Sequence, residues 1–288
     1  MKSILVTVGG NSLDEAVFDA AHAVASPLSA HMDFAHVALS SIDPAELHPH
    51  IAFARGAGLA TTLKDIPGQS SHAEATARSQ IANYCAAKGI QKLAIPAPVN
   101  KVTANWPDSV INIEALLKAA RAHDLTVIGQ STDQHNWSMR LRETLLMTTG
   151  RPTLIIPQNF GLTALGTVVV WWKDHSAAAR AVSAALPILR AATKVIIVNV
   201  VEDDDEAGQT ASDLRTQLIW HGIEAATEVV PHRHHRQAIN LLWAASLAEG
   251  ADLVVMGGFS RSQTSELVFG GCTQAVLENA VRPVFLVH

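Results

Sequence analysis

Residues 252–271, DLVVMGGFSRSQTSELVFGG, set an apolar run against two glycine pairs, Gly257–Gly258 and Gly270–Gly271, with a polar loop between them. An amphipathic segment follows at once. Strand, glycine loop and helix in that order are how a parallel sheet builds a phosphate cradle. Glycines let backbone N–H groups approach the anion, and the start of the next helix favours negative charge. Such an arrangement binds; it makes or breaks no bond. Cys272, at the predicted helix start, has two readings: a thiol of lowered pKa, or a small packed residue. The densest histidine cluster is PHRHHR at 231–236. His232, His234 and His235 could meet a metal or an anion, but adjacent spacing suits a closed zinc site poorly and no cysteine or carboxylate stands beside them. A solvated basic loop is the plainer reading. The chain has no G-x-S-x-G, no H-E-x-x-H and no spaced carboxylate pair, so nothing specifies a catalytic centre and no enzyme is expected.

The elements that must position these residues come from a repeat. ILVTVGGNSLDEAVFDAAHAVA near the start is answered by VVVWWKDHSAAARAVSAALPIL from Val168, and ALLKAARAHDLTVIGQ by LLWAASLAEGADLVVMGG. AAKGIQKLAIP is answered by IWHGIEAATEVVP, and TTGRPTLIIP by ENAVRPVFLVH, in the same order. The expected domains are residues 1–158 and 159–288, joined where Pro, Asn and Gly interrupt the periodicity at 157–166. The runs ILVTV, LTVIG, TLIIP, TVVVWW, VIIVNV, LVVMG and VFLV are nearly all apolar rather than alternating, which means strands buried on both faces of a parallel sheet. Helical periodicity places Ala77, Ile81, Tyr84 and Cys85 on one face, and likewise Ile113, Leu116, Leu117 and Ala120. In the second copy it groups Val182, Ala185, Leu186 and Leu189, then Ile239, Leu242, Trp243 and Leu247. Right-handed crossovers then give two tandem doubly wound α/β units with a Rossmann-like layout, their loops gathered at the C-terminal edge of the strands. Residues 40–71 are extra length in the first copy, read as a loop with a short helix. If the last strand of each copy lies at its sheet edge, the two edges could pair as an intramolecular pseudo-dimer, and a homodimer of the chain is a further option.

The totals agree with this class. Of the 288 residues, 48% are hydrophobic and 16% charged, enough for a substantial core. A net charge of −5 gives no pull toward nucleic acid or an anionic membrane. Two cysteines, Cys85 and Cys272, make no disulfide framework. No signal peptide and no membrane-length apolar stretch is read, so a cytoplasmic location is expected.

At this point the chain resembles a tandem universal stress protein. The likeness is carried by VVVWWKDHSAAARAVSAALPIL and by GADLVVMGG…ELVFGGCTQAVLENAVRPVFLVH, including the Arg282–Pro283 pair before the last strand. It implies five-stranded parallel domains, dimer-like pairing, a cytoplasmic place and a non-catalytic role in stress tolerance. Some family members bind ATP and others do not. The binders carry G-x2-G-x9-G-[S/T] after a strand. Here Gly257 fits the first glycine and Gly270 the last, whereas Ser260 takes the middle position and Gly271 replaces the hydroxyl residue. That lost hydroxyl is worth roughly 1.5–3 kcal/mol against a charged phosphate, so ATP would bind at about tens of micromolar at best. Ser262, Thr264 or Arg261 could compensate.

The resemblance also implies an acidic residue at the end of the first strand, where this sequence has Lys173 with Asp174 next. The expected ligand contacts are therefore Lys173, Asp174, Met256, Gly257, Ser260, Arg261, Gly270, Gly271, Cys272 and Thr273, with ATP in the second copy only. In the first copy Gly129 is followed by no glycine until Gly150, so no nucleotide is placed there. VGGNSLDEA at residues 8–16 resembles the loop of ATP pyrophosphatases, but Ser12 stands where an Asp is needed. The plain reading is a strand-to-helix turn with Ser12 or Asn11 as N-cap. Two functions remain open: a protein with a modified nucleotide site, or a scaffold acting through protein contacts of unknown identity.

Overall fold

The computed structural model describes residues 1–37, 67–106, 111–130, 137–201, 205–231, 238–258 and 271–288. The first half contributes β1 (Ser3–Val8), α1 (Asp14–Leu28), β2 (His31–His36), α2 (Pro67–Ala87), β3 (Gln91–Lys92) and β4 (Thr103–Asn105). It continues with α3 (Ile113–Ala122), β5 (Leu125–Gly129), α4 (Trp137–Thr148) and β6 (Thr153–Ile156). The second half runs β7 (Thr167–Trp172), α5 (Ser176–Ala191), β8 (Lys194–Val201), α6 (Asp205–Trp220), β9 (Ala225–Pro231) and α7 (Ala238–Ala248). It closes with β10 (Leu253–Gly257), α8 (Gly271–Asn279) and β11 (Val284–Val287).

The strands form one sheet in the order β3-β4-β2-β1-β5-β6-β11-β10-β7-β8-β9. β4-β2-β1-β5-β6 is mirrored by β9-β8-β7-β10-β11, so the repeated segments occupy equivalent places. Every recorded ladder is parallel except β6 on β11, whose antiparallel register pairs Val284 with Ile155 and Leu286 with Thr153. The two terminal strands thus cover each other's edge. Residues 157–166 connect β6 to β7, and Leu162 and Leu165 in that connection are buried.

The all-apolar runs lie where two-sided burial was expected. Val6, Val170, Leu253 and Phe285 face one side of the sheet, against α1, α2, α5 and α6. Leu5, Val169, Val254 and Leu286 face the other, against the second helix layer, with Leu116, Leu145, Leu242 and Val276. The predicted helical faces turn inward, buried or half-buried, with one exception. Leu247 of α7 is exposed, and Ala245 and Ser246 turn inward instead. Ser246 accepts a hydrogen bond from Trp171 Nε1 at 2.8 Å, so a polar residue closes the helix against the sheet where apolar periodicity points to a leucine. The expected short helix within residues 40–71 falls largely on 38–66, outside the described residues.

Candidate functional site

The sheet brings the C-terminal ends of β7 and β10 side by side, with Val255 opposite Val170 and Met256 opposite Trp171. Beyond β7 lie Lys173 and Asp174, both exposed. His175 then caps α5, its Nδ1 accepting from the Ala177 amide at 3.2 Å. β10 ends at Gly257, Gly258 follows, and α8 starts at Gly271. Gly258 N–H donates to the Val287 carbonyl at 2.6 Å, which ties the start of the loop to the last strand. Cys272 is half-buried in the first turn of α8. Burial pushes its thiol up, and the positive charge of Lys173 offsets part of that rise. The thiol is therefore not an activated nucleophile. Lys173 is thus close enough for its charge to be felt in the first turn of α8.

Other predicted contacts are placed less simply. The Met256 side chain is buried in the core and leaves only its backbone for a ligand. Thr273 is also buried, its methyl close to Gly258. Ser260, Arg261 and Gly270 lie outside the described residues, as do Ser262, Thr264 and the histidines of 232–235. Gly257 has a packing reason of its own. A Cβ there would overlap the backbone of Ala177 and Ala178 at the start of α5. Gly129, its counterpart in the first half, meets α1 in the same way, through the side chain of Leu13. A glycine ending this strand thus admits the first helix whether or not a phosphate follows.

The corresponding corner of the first half is filled from within. Asp14 is almost fully buried, and its carboxylate accepts the backbone N–H groups of Gly9 at 2.9 Å, Gly10 at 2.7 Å and Asn11 at 3.1 Å. Burial raises the Asp14 carboxyl, while these amides and the nearby His36 pull it down; burial wins. Gly10, at φ +72°, lies against Ala73 of α2, where any side chain would overlap the helix backbone. The turn reading of VGGNSLDEA holds, but neither Ser12 nor Asn11 is the N-cap. Leu13 occupies that position, and Asn11 Oδ1 accepts from Leu13 N–H at 2.8 Å. A carboxylate three residues beyond Asn11 was the missed signal. At the equivalent place in the second half stands Ala178, which offers no oxygen.

A second cluster escaped the sequence reading because its members are scattered. Asp33 on β2 is an acceptor for His123 Nε2 at 3.0 Å and Asn105 Nδ2 at 3.1 Å, and pairs with His31 Nε2 at 3.4 Å. Burial raises the Asp33 carboxyl, but hydrogen bonds from His123, His31 and Asn105 outweigh it and hold the group well below the usual range. For His123, burial lowers the imidazole, and its bonds to Asp33 and to the Ala119 carbonyl bring the net shift upward. His31, Asp33 and His123 lie toward the N-terminal ends of β2 and β5, whereas Lys173 follows the C-terminal end of β7. Among the described residues no group of three or more His, Cys, Asp or Glu could hold a metal, and no helix is long and apolar enough to cross a membrane.

The model of the universal stress protein family matches residues 165–288. Among solved structures, the chain is similar to a universal stress protein from Archaeoglobus fulgidus DSM 4304, at 14% identity and TM-score 0.68, covering 99% of this chain and 97% of that one. A Pseudomonas aeruginosa UCBPP-PA14 protein assigned to the universal stress proteins gives 16% and 0.55, over 100% and 93%. The cytoplasmic domain of a prokaryotic cation chloride cotransporter gives 11% and 0.52, over 99% and 94%. At such identities the likeness concerns the fold. Curated protein sequences gave no match. Residues 165–288 are thus a universal stress protein family domain, set in a chain whose whole length has the tandem α/β fold of that family.

Proposed function

We propose that the chain is a non-catalytic stress-tolerance protein of the cytoplasm, and that its second half takes a nucleotide, ATP foremost, between the end of β7 and the start of α8. The observation that carries this reading is the contrast between the halves. In the first half the Asp14 carboxylate already occupies the amides after β1. In the second half Ala178 stands at that place, and the charge of Lys173 reaches the first turn of α8. An anion entering there would meet a cation, the helix start and backbone amides. Gly271 and Ser260 keep the affinity at about tens of micromolar at best.

The scaffold reading has its own support. Trp220 is 86% exposed, and Ile219 of α6 and Val229 of the outer strand β9 are also open, which suits a protein contact more than a nucleotide. Calorimetric titration of ATP into the wild-type chain and into the Ser260→Gly/Gly271→Ser variant separates the two. Heat from the wild type, with tighter binding in the variant, supports the nucleotide reading. No heat from either would transfer the function to protein contacts.

A further inference from the structure

Helix α8, whose first turn carries Gly271, Cys272 and Thr273, is held at its other end by the first half of the chain. The last carbonyls of any helix lack intrahelical partners. In α8 they belong to the turn that includes Val276 and Leu277. Gln130, which follows β5, donates from Nε2 to the Val276 carbonyl at 3.1 Å and to the Leu277 carbonyl at 3.0 Å. Its Oε1 accepts from Ala280 N–H at 3.1 Å, so one side-chain amide continues the helix's own pattern of donor and acceptor. Arg142 of α4 adds a cation at the same end, donating from an Nη to the Leu277 carbonyl at 2.9 Å. Positive charge is favourable at a helix C-terminus.

Arg142 is 2% exposed and Gln130 5%. Burial pulls the guanidinium down to about 10. No carboxylate pairs with it among the described residues, and its Nε has no partner there. A cation buried under such terms is costly unless it is spent on something fixed. The fixed object is the end of α8.

The repeat makes the device one-sided. Strand register places Gly258 where the first half has Gln130, and the aligned Arg-Pro pairs place Thr273 opposite Arg142. Gly258 has no side chain with which to repeat the bonds that Gln130 makes. Helix α4 is instead closed from within its own half, by Thr148 Oγ1 on the Thr144 carbonyl and Thr149 Oγ1 on the Leu145 carbonyl, both at 2.7 Å, and by Arg121 Nε of α3 on the Thr148 carbonyl at 3.2 Å. The fold therefore closes such a helix with side chains of the same half.

We infer that Gln130 and Arg142 are a positioning pair through which the first half sets the placement of α8, and with it the geometry of the second half's strand–loop–helix site. The halves are then not two equal copies, since one supports the binding helix of the other. The link to a ligand rests on the nucleotide reading above; the link to α8 does not.

The chain's two cysteines provide the test. Cys272 sits in the first turn of α8, and Cys85 is buried in the first half as a reference. Ellman's reagent is reacted with the native full chain, with Arg142→Met and with Gln130→Met. Release of α8 should speed the Cys272 reaction about tenfold while the Cys85 rate stays put, and Arg142→Lys should restore part of the protection. Should Arg142→Met expose both thiols, the milder Gln130→Met decides. The inference is overturned if Cys272 is unchanged in a folded variant, or if both thiols accelerate together in both methionine variants. A parallel ATP titration should weaken in step with the Cys272 rate. Silence of the wild type toward ATP would remove the nucleotide reading and leave the thiol result to judge the clamp.

Discussion

Replacing His123 should reveal a proton-dependent tie that the second half does without. His123 Nδ1 lies 2.7 Å from the Ala119 carbonyl oxygen and Nε2 lies 3.0 Å from Asp33 Oδ2. Neither a carbonyl nor a carboxylate can donate, so the ring satisfies both only as an imidazolium. A hydrogen bond to a charged partner contributes about 1.5–3 kcal/mol. The side chains of His123 and Asp33 are 13% and 29% exposed, which argues for the lower end. A double-mutant cycle with His123→Ala and Asp33→Asn, read by urea unfolding, should give a coupling of about 1.5 kcal/mol near pH 5.5. The pH dependence has a definite sign. The folded imidazole is raised, so its share is complete below the ordinary value of 6.5 and is lost as pH rises through the folded value. The folded carboxyl is depressed, so its share is complete above 3.8 and is lost as pH falls through the folded value. A plateau therefore spans those two ordinary values, and the coupling should weaken as pH rises through the folded imidazole value, where the neutral ring keeps only one of its two donors. Strand register and the shared Asp124 and Asp252 anchors place Ile196 and Ala251 at these positions in the second half, and neither can titrate. A coupling near zero at about pH 5.5, or one unchanged at about pH 9, would falsify the imidazolium assignment.

Three further outcomes follow from the strand ends. Asp14→Asn keeps the shape but turns an N–H₂ toward amides that need an acceptor. It should cost about 2–4 kcal/mol in urea unfolding, and an unshifted midpoint would mean the amides find water instead. Gly257→Ala must push α5 away from β10, so a loss of about 1–3 kcal/mol is expected; a neutral result in the same assay would show that α5 gives way freely. Ala178→Asp copies the first half's carboxylate into the second. It should abolish ATP heat in calorimetry while leaving the circular dichroism spectrum intact, and unaltered ATP binding would place the anion elsewhere.

The strands buried on both faces were legible because such positions favour near-continuous runs of β-branched and bulky apolar residues: TVVVWW, VIIVNV and VFLV all lie in the sheet. The strands HMDFAH and TAN were not, since their polar residues serve the Asp33 cluster, and AATEVVP was obscured by exposure at the sheet margin. For the site, Lys173 and Cys272 could be linked in the sequence only through the family resemblance, which sets the end of the first strand against the glycine loop. Gln130 and Arg142 could not. Their partners are backbone carbonyls about 140 positions away, which leave no mark on side-chain pattern. Gly257 shows the converse difficulty, because one residue satisfies both a phosphate loop and a close helix crossing.

The antiparallel seam between β6 and β11 has a consequence for manufacture as much as for form. Each half, made alone, would present as a raw margin the strand its twin now covers, and such margins recruit whatever strand they meet. In a crowded translation mixture the first half emerges with β6 bare before β11 exists. A neighbouring chain's β11 has the same sequence and register as its own, so exchanging halves between chains satisfies every backbone bond of the seam. Intertwined pairs would then be chemically indistinguishable from single chains at this junction, and the connection at 157–166 alone decides which forms, with the burial of Leu162 and Leu165 favouring the chain that closes on itself.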